Sequence, residues 1–377
     1  MKCFKVEKKS VECKARIGTV RTAHGSVTTP AFMPVGTNAA VKTLSSHELH
    51  SLQMNMILAN TYHVYLRPGL DIINKAHGLH NFMNWHGPIL TDSGGYQIFS
   101  LSDLARVTDE EVRFQSHIDG SYHQFTPEKA LDIQLKLGSD IAMVLDECPG
   151  YPVEKSYMKK AVDRTHSWAK RSKYYFNEHS DKGPNKSQLF GIVQGGVFKD
   201  LRRESALKTV EVDFDGYAIG GLSVGESKEL MYESALNTVL YLPEEKARYA
   251  MGIGMMEDLW FFIENGIDLF DCVLPTRNAR KGQIFTFNGK YNLDNARFRD
   301  DFKPVEAGCG CFTCKNYTRA YIHHLFKAKE LLAPRLATLH NLCFMVELMK
   351  LINKSIKNDC FFAQKQKFLS AWNEGIK

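Results

Sequence analysis

No apolar run in this 377-residue chain approaches the roughly 20 residues that a membrane-spanning helix requires. The N-terminus, MKCFKVEKKSVECKARIG, breaks every apolar stretch with a charge. It therefore has no signal-peptide core, and a cytoplasmic protein with no membrane partner is expected. The nine cysteines (Cys3, Cys13, Cys148, Cys272, Cys309, Cys311, Cys314, Cys343 and Cys360) are odd in number and unevenly spread. That excludes a disulfide framework of the secreted kind. Internal repeats and low-complexity linkers are absent. With 44% hydrophobic and 11% aromatic residues and a net charge of only +6, the composition is that of a folded chain.

The average charge hides an asymmetry. From Cys272 to Lys377 there are 18 Lys and Arg against 8 Asp and Glu, a local charge of +10 that leaves the first 271 residues at −4. Clustered cations of this kind recruit polyanions by counterion release, so the C-terminal third suits a phosphate backbone.

Short apolar runs alternate with segments of helical period. Strands are expected at 30–35, 54–58, 88–90, 141–145, 189–193, 217–219, 248–251 and 269–273, with helices near 45–52, 127–137, 153–176, 201–210, 228–241 and 256–264. Eight strands separated by helices predict a closed (β/α)8 barrel. Polar or glycine-rich residues follow most strands: Asp92-Ser93-Gly94-Gly95, Asp146-Glu147-Cys148, Gln194-Gly195-Gly196, Gly220-Gly221, Gly252-Ile253-Gly254 and Asp271. In such barrels that end of the strands carries the active site. Residues 112–125 read as an inserted hairpin turning at Asp119-Gly120. The predicted organisation is a barrel body over 1–282 with an N-terminal β segment, a metal-binding subdomain over 283–345, and a helical segment over 346–377 packing on the barrel.

Cys309, Cys311 and Cys314 place three thiols on one knuckle, the convergence that a tetrahedral ion with Zn–S bonds of about 2.3 Å needs. Spacing leaves the fourth ligand open among His323, His324, His340 and Cys343. A knuckle far along the chain from the strand-end carboxylates has no neighbouring acid or base, which favours a structural ion. Asp92 and Asp271 lie at the ends of the third and eighth strands. A carboxylate pair across one barrel mouth can serve glycosidic chemistry, one as nucleophile at an anomeric carbon and the other as acid and base.

The set TDSGGYQ, FDEC, VQGG, FDGYAIGGLSVGE, YAMGIG, FDCVLPTR and CGCFTC followed by TLHN resembles the tRNA-guanine transglycosylases, the bacterial queuine tRNA-ribosyltransferases. The resemblance runs in order from about Gly18 to about Glu347. It implies a pentosyltransferase that exchanges guanine at wobble position 34 of tRNAs with GUN anticodons (Asp, Asn, His, Tyr) for preQ1 (7-aminomethyl-7-deazaguanine), through a covalent intermediate in queuosine biosynthesis. Asp271 matches the nucleophile and Asp92 the general acid/base. Asp146, Gln194 and the Gly221 amide match the groups that read the purine edge, and Tyr96 and Met251 those that sandwich the ring. The Leu222 carbonyl, with Glu226 nearby, matches the site for the aminomethyl group. Arg277, Arg280 and Lys281 fall where the flanking tRNA is bound. His340 takes the position of the fourth zinc ligand, giving one structural Zn2+ per subunit, and family members form homodimers.

Cys148 and Val224 resemble the bacterial type, whereas enzymes that accept the bulkier queuine tend to have smaller residues at the position of Val224. Queuine as incoming base and a noncatalytic tRNA-binding barrel are the alternatives, the second disfavoured because both aspartates are present. A zinc hydrolase would need ligands at the barrel mouth, where histidines do not cluster. Two departures from the family pattern stand out: Met255-Met256-Glu257 after YAMGIG, and Asn278-Ala279 between the arginines.

Overall fold

In the computed structural model, which describes residues 3–101, 105–184 and 186–375, eight parallel strands close into a barrel in chain order. They are β1 (Ala31–Gly36), β2 (Ile57–Ala59), β3 (Ile89–Thr91), β4 (Ile141–Met143), β5 (Gln188–Val193), β6 (Gly216–Ile219), β7 (Ala247–Ala250) and β8 (Leu269–Cys272). Closure is made by β8 on β1, with Phe270 opposite Phe32 and Asp271 opposite Met33. The strands read as continuous apolar runs because both faces are covered, by barrel interior on one side and helices on the other. The fold is a (β/α)8 barrel, and all eight predicted strands occur within a few residues of their expected places. Residues 1–2 and 376–377, the ends of the first and last predicted segments, lie outside the described residues.

Local signals set the helices. The helix Pro127–Leu137 starts where the Thr126 side chain accepts from Lys129 N with Pro127 in its first turn, and stops at Gly138 in the left-handed region, a capping pattern at both ends. Between β2 and β3 the chain adds three short helices, Thr61–Leu66, Leu70–Lys75 and Leu79–Met83. The predicted hairpin forms from Val112–Gln115 and Tyr122–Phe125, with Arg106–Val107 as a third strand. After β8 the helix Leu274–Ala279 leads to a two-stranded sheet, Gln283–Thr286 with Gly289–Asn292, and to the cysteine knuckle. The helix Leu332–Lys357 then runs unbroken past position 345. Its Phe344, Met345, Leu348, Ile352 and Ile356 are buried with the barrel core.

The opposite end of the barrel is a structural floor. A three-stranded sheet (Phe4–Lys9, Arg16–Thr22, Gly25–Thr29) is fastened there. Arg16 donates through Nε and Nη2 to both oxygens of buried Asp268, at 2.9 and 2.6 Å. Asp140 accepts from His24 Nδ1 at 3.0 Å and from Ile89 N at 2.9 Å, so each carboxylate ties the sheet to the start of a barrel strand. No described helix is long and apolar enough to cross a membrane.

Candidate active site and metal centre

The C-terminal ends of the eight parallel strands form one mouth, and Asp92, Asp146, Gln194, Gly221, Leu222, Met251 and Asp271 all lie at or just beyond them. Asp92 follows β3. Its Oδ1 accepts from Thr61 N at 2.8 Å, and its Oδ2 from Asn60 Nδ2 and from Gln97 Nε2, the latter at 2.9 Å. Burial pushes the carboxyl up to about 6 against those three donors, and the charge of Asp271 adds to the rise. A carboxyl so placed gives and takes protons near neutral pH.

Asp271, on β8, is held differently. Tyr249 donates its phenolic hydrogen at 2.5 Å and Gly252 its amide at 2.8 Å, both to Oδ1. Oδ2 accepts from no other residue among those described, which leaves one carboxylate oxygen for an electrophile. Burial raises this carboxyl as well, while the two donors favour its ionised form. Burial and the adjacent Asp271 hold the Tyr249 phenol well above its ordinary value, so it stays a donor.

Asp146 follows β4. Its Oδ2 accepts from Gln194 Nε2 at 2.7 Å and its Oδ1 from Ser93 Oγ at 3.2 Å, and burial pushes it up to about 6. Gln194 Oε1 is buried without a partner. Gln194 lies against Gly220 and Gly221, where a Cβ would fall 2.5 Å from its amide nitrogen or oxygen. Gly221 also sits at φ +64°. A side chain at either place would displace the Gln194 amide, and at Gly221 the left-handed backbone favours glycine as well.

Tyr96 opens the helix Gly95–Leu101 and is 55% exposed; Met251 is partly buried against the core. Cys148 lies close to the Gln194 amide and Gly221 N, and burial pushes its thiol up to about 12. Glu226 folds back on its own loop, accepting from Ser223 N at 2.5 Å and Val224 N at 2.9 Å. Leu222 is buried, and Val224 is partly exposed. Arg277 and Lys281 are exposed and Arg280 is partly buried just beyond β8. None of the three pairs with a carboxylate among the described residues.

The thiols of Cys309, Cys311 and Cys314 lie 3.8, 3.6 and 3.3 Å from His340 Nδ1. A tetrahedral ion with ordinary Zn–S and Zn–N bonds sets ligand atoms about 3.6 Å apart, so the four residues fit such an ion. His340 Nε2 donates to Phe285 O at 2.8 Å, which fixes the tautomer that turns Nδ1 to the metal. His323 instead bonds Leu293 O and His324 is exposed. Cys343 lies close to Cys309 and Cys311, outside the four-residue cluster. Beside His340, Asn341 donates to Pro275 O and Gln283 O, both at 3.0 Å. The same helix thus holds the metal cluster and the segment that follows Asp271.

A second cluster, His24, His80 and Asp140, is a hydrogen-bonded clasp at the barrel floor. The two imidazoles stack with centroids 3.5 Å apart and planes 17° from parallel. A metal ion lies in the plane of the imidazole it binds, and planes stacked this way do not share one.

Sequence reasoning did not single out Asn60, Thr61, Gln97, Tyr249 and Asn341, which hold the aspartates and the helix of His340; Gly252 it had named only as a strand-end glycine. Asn60-Thr61 directly follow β2, so the strand-end rule that picked Asp92 applies to them equally. The two departures also have structural roles. Met256 is fully buried, Ala279 packs in the hydrophobic cluster that contains Cys311 and Cys314, and Asn278 Nδ2 bonds Gln283 Oε1 at 2.8 Å.

A sequence model of the queuine tRNA-ribosyltransferase family matches residues 11–374. The queuine tRNA-ribosyltransferase of Caldanaerobacter subterraneus subsp. tengcongensis is 54% identical over 369 residues, covering 98% of this chain and 97% of the relative. Those of Thermoanaerobacter sp. (strain X514) and Natranaerobius thermophilus are each 52% identical, over 98% and 97% of this chain and 97% of each relative.

Proposed function

Because the chain belongs to the queuine tRNA-ribosyltransferase family, a class of pentosyltransferases acting on tRNA, we propose that it replaces guanine 34 of GUN-anticodon tRNAs with preQ1. The observation that carries this reading is the division of labour between two carboxylates in one mouth. Asp271 keeps one oxygen clear of donors from other residues, and Asp92 is poised to titrate near pH 6. In the proposed cycle Asp271 Oδ2 bonds to ribose C1′ as the C1′–N9 bond breaks, and Asp92 supplies the proton that the departing guanine takes at N9. Asp92 then removes the N9 proton of the incoming base, whose nitrogen attacks C1′ and releases the Asp271 carboxylate. One glycosidic bond replaces another, so the exchange requires no cofactor or energy input.

Asp146, Gln194 and the Gly221 amide face the purine edge in this reading, with Tyr96 and Met251 across its faces. The Leu222 carbonyl, shaped by Glu226 and bordered by Cys148, receives the aminomethyl group. Arg277, Arg280 and Lys281 meet the tRNA backbone, Cys309, Cys311, Cys314 and His340 hold a structural Zn2+, and the working form is a cytoplasmic homodimer.

Two results test the reading of the base pocket. Ionised Asp146 accepts from the base, whereas the protonated acid loses that capacity. Its value of about 6 therefore predicts affinity for free guanine that is flat above pH 7 and about tenfold weaker at pH 5. Calorimetric titration of the tRNA-free protein reads this without turnover, and Asp146→Asn should flatten the profile. An unchanged pH profile in that variant would remove Asp146 from its role. At the aminomethyl side, Val224→Gly should raise the ratio of queuine to preQ1 incorporation into tRNA by about tenfold or more, the scale of a side-chain volume change in a tight pocket. Equal use of both bases by the unmutated protein would sink the preQ1 assignment.

A further inference from the structure

Behind the base pocket lies a buried cation to which nothing above gives a part. Arg202, on the helix Lys199–Glu211, is fully buried, and its guanidinium has no carboxylate partner among the described residues. All its hydrogen bonds go to main-chain carbonyls of two consecutive strand ends. Nε donates to Gly196 O at 2.7 Å, Nη1 to Val193 O at 3.3 Å and Gly220 O at 2.7 Å, and Nη2 to Gly221 O at 2.9 Å. Burial outweighs the opposing influence of Cys148 and Glu226 and lowers its proton affinity to about 10, so it remains a cation at any working pH.

The contact with Gly220 O reaches the pocket through one amide. In a planar trans peptide the carbonyl and the following N–H point in opposite directions. A charged donor on Gly220 O therefore fixes the Gly221 N–H on the far side and strengthens it as a donor, since hydrogen bonds in a chain polarise one another. Gly221 N lies beside the Cys148 thiol, a side chain that borders the base in the proposed reading. The contacts to Val193 O and Gly196 O hold the Val193–Gly196 turn from which Gln194 projects, and the one to Gly221 O holds the next peptide of the β6 loop. Gly195, at φ +139°, leaves no room for a Cβ, which would meet the Arg202 main chain at 2.7 Å.

We propose that Arg202 is a positioning residue for base recognition: through the Gly220–Gly221 amide it aims and polarises the donor that meets the carbonyl oxygen of the purine. The inference rests on the assignment of Gly221 to the purine edge. It goes further in naming the cation that makes this site favour an oxo purine over one with a weaker acceptor.

The test compares guanine with 6-thioguanine, which keeps the N1–H and 2-amino groups but replaces the oxygen with a poorer acceptor. Calorimetric binding to the tRNA-free protein should favour guanine by about tenfold or more. Arg202→Lys and Arg202→Gln should weaken guanine by about tenfold or more, weaken 6-thioguanine much less, and leave tRNA affinity within about twofold. Lys, which keeps the charge, should retain more selectivity than Gln. Ser205→Ala, which removes only the 3.1 Å bond from Gln194 N to Ser205 Oγ, is the structural control and should leave the ratio unchanged.

Equal weakening of both bases by folded Arg202 variants would overturn the proposal, as would unaltered guanine binding. Should neither variant fold, equal binding of the two bases by the unmutated protein overturns it as well. Failure of the pocket assignment is separate: Gln194→Ala and Asp146→Ala would then leave guanine affinity unchanged, whatever Arg202 does.

Discussion

Asp271→Asn should abolish the exchange of labelled guanine into tRNA, with a loss of about 10⁴-fold or more. The substitution is nearly isosteric, and the amide oxygen can still accept from Tyr249 and Gly252, so the site keeps its shape. What it loses is the oxygen that bonds to C1′. Affinity for tRNA should stay within a few fold, because the cationic residues proposed to bind it lie elsewhere. Stability should not fall. A carboxyl whose folded-state value is raised binds more protons folded than unfolded, so its contribution is least favourable above that value. Asp271 is raised by burial, and a neutral amide removes the deficit. The thermal midpoint at pH 7.5 is therefore expected at or above that of the unmutated protein. Substantial retained exchange in a folded variant would strip Asp271 of its role.

Cys311→Ser should lower metal content and stability together, with most of the metal lost and the thermal midpoint down by roughly 10 °C or more. The damage should spread along a defined route. His340 is the ligand on the helix Leu332–Lys357, and the adjacent Asn341 bonds Pro275 O and Gln283 O. Those carbonyls flank the segment that carries Arg277, Arg280 and Lys281. Binding of tRNA should consequently suffer more than binding of free guanine. A metal-free protein that folds fully and binds tRNA with unchanged affinity would contradict a structural role for the ion. Metal analysis alongside a thermal scan and a filter-binding titration reads all three quantities.

The barrel was legible because parallel strands covered on both faces must be continuously apolar, and the runs at 141–145 and 189–193 stand out for that reason. The helices Thr61–Leu66, Leu70–Lys75 and Leu79–Met83 did not, since Pro68, Gly69 and Gly78 cut the stretch into pieces too short to show a helical period. Asp92 and Asp271 were visible as polar residues ending apolar runs. Their partners were not: Asn60 and Tyr249 come from neighbouring strands, and only the closed barrel brings them together. Arg202 was the least visible, because LRRES in an amphipathic helix reads as solvent-facing charge. Its burial depends on four carbonyls from two other strand ends. His340 was chosen from four candidates by resemblance alone, since a ligand that reaches the knuckle from a separate helix leaves no fixed spacing.

The most direct test is the covalent intermediate itself. The protein is mixed with excess tRNA without added base, quenched in denaturant, resolved on a gel, and the slower band is digested with nuclease and protease for mass spectrometry. The expected result is a denaturant-resistant protein–tRNA adduct whose remaining nucleotide is attached to Asp271, with no such band for Asp271→Asn. Absence of any adduct under conditions of active guanine exchange, or attachment at another residue such as Asp92, would contradict the mechanism.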